Sequence, residues 1–134
     1  VRCLESSAVE FARVDLWLGR FPSFEAAEAY FEEQYDDEEA PVSRFAGDQD
    51  ETFIDHDFVE RVFHETSPPN LRDALTRHSF SSSYVDAAVA AFEQAPFYPF
   101  DTVLLVWSPQ VTSPRSVSGD DMKLHYVGRF VSDT

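Results

Sequence analysis

Between Glu25 and Glu60 the chain carries fourteen acidic side chains and a single base, Arg44. That stretch holds −13 of the formal −15, whereas the other 98 residues set eleven acids against nine bases. Carboxylates crowded in this way cannot be buried unpaired, so these side chains belong at the surface of any fold. The crowding also costs self-repulsion in the compact state. A salt-adapted protein would spread its acids evenly, so a cost concentrated in one place points to a local use, and the use expected here is a cationic partner. Phosphate binding needs clustered Lys and Arg, which excludes nucleic acid as a partner. An anionic membrane surface is excluded by the same field.

The 134 residues suit one domain. Thirteen Phe within an aromatic share of 15% supply the material for a core. The longest strongly apolar run, Val103 to Trp107, is five residues, far short of the about 20 needed to span a bilayer. The charged opening Val1-Arg2-Cys3-Leu4-Glu5 lacks the apolar stretch of a secretory signal, from which a cytoplasmic protein is expected. Cys3 has no second cysteine to pair with. Residues 1–8 are expected to form a flexible tail and residues 9–134 a single domain.

Periodicity orders the elements. From Val9 to Gly19 the residues Ala12, Val14, Leu16 and Leu18 alternate with Arg13, Asp15 and Trp17, the pattern of a strand with one buried face. Ser23 is placed to cap a helix from Phe24 to about Tyr35, with Phe24, Ala27, Tyr30 and Phe31 inward and Glu25, Glu28 and Glu32 outward. Asp36 to Asp50 reads as an exposed loop pinned by Val42 and Phe45. Thr52 to His64 suits a short strand followed by a strand or a helical turn. Asn70 can cap a short helix through Arg77, and a longer one is expected over Ser82–Gln94 with Tyr84, Ala88, Ala91 and Phe92 inside. Thr102–Trp107 has the pattern of a central strand covered on both faces. Lys123–Val131 alternates, with Leu124, Tyr126 and Phe130 opposite His125, Val127 and Arg129. Ser108–Asp121 would connect these two strands as a long hairpin link, paired around Val111 and Val117. The expected class is α+β, a mainly antiparallel sheet with helices packed on one face.

No catalytic constellation stands out. Asp55, Asp57 and Glu60, with His56 among them, could offer ligands to a divalent cation and define the alternative reading, a metal-binding protein or hydrolase. In an extended segment, however, neighbouring side chains fall on opposite faces. The sequence lacks an EF-hand loop, a His-Glu-x-x-His helix and a Gly-x-Ser-x-Gly elbow. Ser79, Ser81, Ser82 and Ser83 read as loop and helix-capping residues, so neither an enzyme nor a cofactor is expected. The candidate partner-binding residues are Glu28, Glu32, Asp36, Asp37, Glu38, Glu39, Asp48, Asp50, Asp55, Asp57 and Glu60. Tyr35 and Phe45, flanked by acids, are the expected exposed aromatic anchors among them.

The order of several motifs resembles the immunity protein 22 family of bacterial polymorphic-toxin systems. Val14-Asp15-Leu16-Trp17-Leu18-Gly19-Arg20-Phe21 is similar to that family's opening strand and Leu-Trp-x-Gly turn. Phe24 to Tyr35 resembles its acidic helix, and Asp55-His56-Asp57-Phe58-Val59-Glu60 its Asp-x-Asp-Phe-x-Glu segment. Ser79-Phe80-Ser81 with Tyr84, the strand Val103 to Trp107, and Tyr126-Val127-Gly128-Arg129-Phe130 follow in order. The resemblance implies an intracellular antidote that binds a cognate toxin. The acidic block adds the expectation that the toxin surface is basic, as a nuclease's substrate groove would be.

Overall fold

Strand β1 (Arg13–Arg20) lies at the centre of an antiparallel sheet, between β3 (Thr102–Trp107) and β5 (Lys123–Val131). The edge strands are β2 (Val59–Phe63), beside β3, and the two-residue β4 (Val117–Ser118), beside β5, giving the order β2-β3-β1-β5-β4. The computed structural model describes residues 13–108 and 110–132. The expected tail, residues 1–8, and the opening of the first strand before Arg13 lie outside the described residues.

The class is α+β, with a mainly antiparallel sheet in one small domain. Its helices cover both faces, which corrects the expectation of one. Val14, Leu16 and Leu18 of β1 and Val103 and Leu105 of β3 pack against Leu71, Ala74, Leu75, Tyr84 and Ala88. These last come from α3 (Leu71–Leu75) and α4 (Ser81–Gln94). The other face of the same strands presents Trp17, Leu104 and Val106 to Ala27 and Tyr30 of α1 (Phe24–Phe31) and to Phe45 and Ala46 of α2 (Arg44–Asp48). The physical cause is that β1, like β3, is apolar or internally paired on both sides. Asp15 and Trp17, expected on an open face, are buried.

Local chemistry sets the element ends. The Ser23 hydroxyl accepts the Ala26 N–H at 3.1 Å and starts α1. That helix stops at Phe31, four residues before Tyr35. Continued, it would stack Glu28, Glu32 and Asp36 at four-residue intervals near its negative end, a repulsive array. Instead the Gln34 N–H donates to the Val42 carbonyl at 2.7 Å. Ser43 caps α2 in the same way, accepting the Ala46 N–H, so the expected loop contains a helical turn. Residues His56–Phe58 form a 3₁₀ turn leading directly into β2. Asn70 Oδ1 accepts the Asp73 N–H at 2.8 Å and caps α3. No serine side chain caps α4, which begins after Phe80 in a left-handed conformation (φ 57°).

A bulge interrupts β5. Leu16 stands opposite Gly128 but Trp17 opposite Tyr126, so Val127 is an extra residue and the alternation reverses beyond it. Leu124 and Tyr126 therefore lie on the α1 face while Phe130 packs on the α4 face, and Arg129 returns to the side of Tyr126. This corrects the expected grouping of Phe130 with Leu124 and Tyr126. Among the described residues no helix is long and apolar enough to cross a membrane.

Candidate partner interface

Helix α1 buries Ala27 and Tyr30 and turns Glu25, Glu28 and Glu32 outward. Between its outer side and the segment from Ile54 to β2 lies an open groove of about 780 Å³, lined by Phe24, Glu25, Glu28, Glu32, Glu33, His56, Val59 and Arg61 among others. Helical spacing brings the glutamates to one wall, and strand alternation brings Val59 and Arg61 to the other. Arg61 Nη1 lies 2.6 Å from Glu28 Oε1 while its guanidinium covers the Phe31 ring at 4.8 Å. Glu33 contacts His56 Nδ1 at 3.1 Å and accepts the Tyr35 hydroxyl at 3.0 Å. That hydrogen bond, with Asp55 and Asp57 nearby, raises the Tyr35 pKa above the ordinary phenol value. A floor of Ile54, Val42 and Phe31 gives the groove apolar area beneath its charge.

The acidic surface continues past the groove. Glu32 also borders a second hollow of about 480 Å³ with Arg44 and Asp48, while Tyr35, Asp37, Glu38 and the exposed Phe53 line a smaller one. Asp48 accepts the Tyr30 hydroxyl at 2.7 Å, which ties α2 to α1. Asp36, Glu39 and Asp50 are exposed in the same part of the chain and line none of these hollows.

Two of the expected contact residues are placed elsewhere. Phe45 is only 4% exposed, packed edge-on to Trp17 at 5.2 Å and against Phe31 at 5.5 Å. The α2 turn rotates it inward, so it belongs to the core, whereas its expected companion Tyr35 is 60% exposed. Glu60 stands opposite Leu105 and shares the face covered by α3 and α4. There its carboxylate accepts the Ser79 N–H at 3.0 Å and the Trp107 Nε1–H at 3.2 Å, and lies 3.1 Å from His78 Nδ1. Burial pushes the Glu60 pKa up, but the bonds from Ser79 and His78 outweigh it and hold the group below the usual carboxylate range.

That placement also corrects the alternative metal reading. Asp55 spends a carboxylate oxygen on the Asp57 N–H at 3.0 Å, capping the 3₁₀ turn, and Glu60 is on the opposite side of the sheet. Among the described residues no three His, Cys, Asp or Glu side chains gather as a metal ion would require.

Glu25, Glu33, His56 and Arg61 line the groove without having been singled out as contacts. The helical period could have placed Glu25 beside Glu28 and Glu32. The pairing of Arg61 with Glu28 spans 33 residues and carries no local signal.

The family model described as immunity protein 22 matches residues 14–133 of the chain. No curated protein and no solved structure matches it.

Proposed function

The chain belongs to the immunity protein 22 family, and from that premise we propose that it neutralises a cognate toxin in the cytoplasm by docking its α1–β2 groove on a basic face of that toxin. The observation that carries the reading is the convergence of Glu25, Glu28, Glu32 and Glu33 on one apolar-floored groove, next to exposed Phe24, Tyr35 and Phe53. A nuclease fits this field well, because a groove that holds a polyanion is itself cationic. Complementary charge steers encounter, with association rates of about 10⁸ to 10⁹ M⁻¹s⁻¹ at low salt. Desolvated aromatic side chains then slow dissociation. Screened outer carboxylates add little to the final affinity. Inhibition is by occupancy, with no bond made or broken.

The test pairs the chain with the product of its neighbouring gene. Co-expression should restore growth, and stopped-flow association should slow steeply with salt while dissociation changes little. The double variant Glu25→Gln/Glu32→Gln should associate several-fold more slowly than the parent at 20 mM salt and equally fast at 500 mM. Identical rates for both proteins at every salt concentration would remove the groove from the interface.

A further inference from the structure

Strand β2 ends the sheet, and its outer edge borders the acidic groove. The phase of its pairing can be read from its last bond, in which the His64 N–H donates to the Asp101 carbonyl at 2.6 Å, one step beyond Phe63 opposite Thr102. In an antiparallel ladder alternate residues turn both main-chain groups to the same neighbour. Glu60, Val62 and His64 therefore face β3, and Val59, Arg61 and Phe63 turn their N–H and C=O groups outward. Among the described residues the Val59 N–H is taken by the His56 carbonyl, which closes the 3₁₀ turn, while the main-chain groups of Arg61 and Phe63 have no hydrogen-bond partner. Such an edge is a template for a further strand. The side chains of the same three residues lie on the α1 side, since Val59 and Arg61 line the groove and Phe63 packs edge-on to Phe24 at 5.6 Å.

We propose that the occupant of this edge is an extended basic segment of the partner, added antiparallel to β2 as a sixth strand. The proposal rests on the docking reading above and deepens it by naming the partner's conformation. Open main-chain groups make the attachment, and charge selects what attaches. Each residue opposite Val59, Arg61 or Phe63 would project toward α1. There Glu28 is already paired with Arg61, while Glu25 and Glu32 have no ion-pair partner among the described residues. A Lys or Arg at those positions meets free carboxylates. The intervening side chains fall on the other face beside Val62, which is half-buried and apolar. A second copy of this chain would also fit the edge geometrically. Pairing two β2 strands, however, would bring two acidic grooves together across a few ångströms, which electrostatics opposes.

The experiment uses the full chain, isotopically labelled, and three eight-residue peptides that alternate Lys and Val. One is unmodified, one is N-methylated at each Lys and one at each Val; all carry the same charge. Antiparallel addition with Lys toward α1 uses the Lys main-chain groups. The unmodified and Val-methylated peptides should therefore bind, and the Lys-methylated one at least tenfold more weakly. Amide exchange at Arg61 and Phe63 should slow at least tenfold on saturation. Equal affinity of the two methylated peptides, with unchanged exchange, would overturn strand addition and leave charge-driven docking standing. No binding by any of the three would overturn both. Protection of the same amides without peptide, accompanied by a dimer in sedimentation, would overturn the proposal in favour of self-pairing.

Discussion

Asp15 is the most constrained acid among the described residues. It sits in the middle layer at 1% exposure and accepts Arg129 Nε and Nη2 at 2.8 and 2.9 Å and the Tyr126 hydroxyl at 2.7 Å. Arg129 Nη2 also donates to the Val111 carbonyl at 2.8 Å, so the pair anchors the long link after β3 to the sheet. Removing one partner strands a buried charge, and Arg129→Ala should cost about 3 kcal/mol or more in urea unfolding. Histidines set a second residue-scale expectation. Burial lowers the pKa of His78 despite the pull of Glu60, and lowers those of His64 and His125 as well. Among the described residues neither His64 Nε2 nor His78 Nε2 has a hydrogen-bond partner, so a proton there would be a buried donor without an acceptor. The unfolded chain takes up those protons near pH 6.5 and the folded chain only at lower pH. Below that value the unfolded state binds more protons, and stability must fall as the pH drops. The urea midpoint should be lower at pH 5.5 than at 7.5; equal midpoints would mean that the folded rings protonate as freely as unfolded ones.

At the scale of elements, the β5 bulge does the most to shape the interior. By reversing the alternation after Val127 it brings Arg129 beside Asp15 and sends Phe130 to the opposite layer. A β-carbon at Gly128 would stand 3.0 Å from Phe130 Cζ, in a ring already wedged in the core. Gly128→Ala should therefore cost about 1–3 kcal/mol through overpacking, read as a lowered midpoint with an unchanged urea slope. Strand identity was legible here, but phase was not, because one inserted residue leaves an alternating pattern looking continuous. Helix α2 was hidden for a related reason. Five residues are too few to show a period, and Ser43 signals a cap only once Phe45 has Trp17 and Phe31 to pack against. Ser23 before α1 was readable from sequence because a longer apolar repeat follows it, and Asn70 before the equally short α3 because Pro68 and Pro69 end the segment ahead of it.

Across the whole molecule, the groove that makes the acidic face useful also strains it. Neutralising Glu32, which stands at the negative end of α1 and lacks an ion-pair partner among the described residues, should raise stability by a few tenths of a kcal/mol at low salt. The gain should vanish in 500 mM salt, where repulsion is screened; a Glu32→Gln variant less stable than its parent at low salt would refute this. The same substitution is expected to slow toxin association, so stability and function pull in opposite directions at this position. Sequence alone determined that most carboxylates of residues 25–60 must lie at the surface, that Thr102–Trp107 must be a covered strand, and that the class is α+β. Those properties follow from solvation and short-range periodicity, which each segment carries by itself. Tertiary structure alone decided that Phe45 is core, that Glu60 faces away from the other acids, that helices cover both sides of the sheet, and that Arg61 closes on Glu28. Each of these depends on which distant segment arrives as neighbour, and a residue's own flanks hold no record of that.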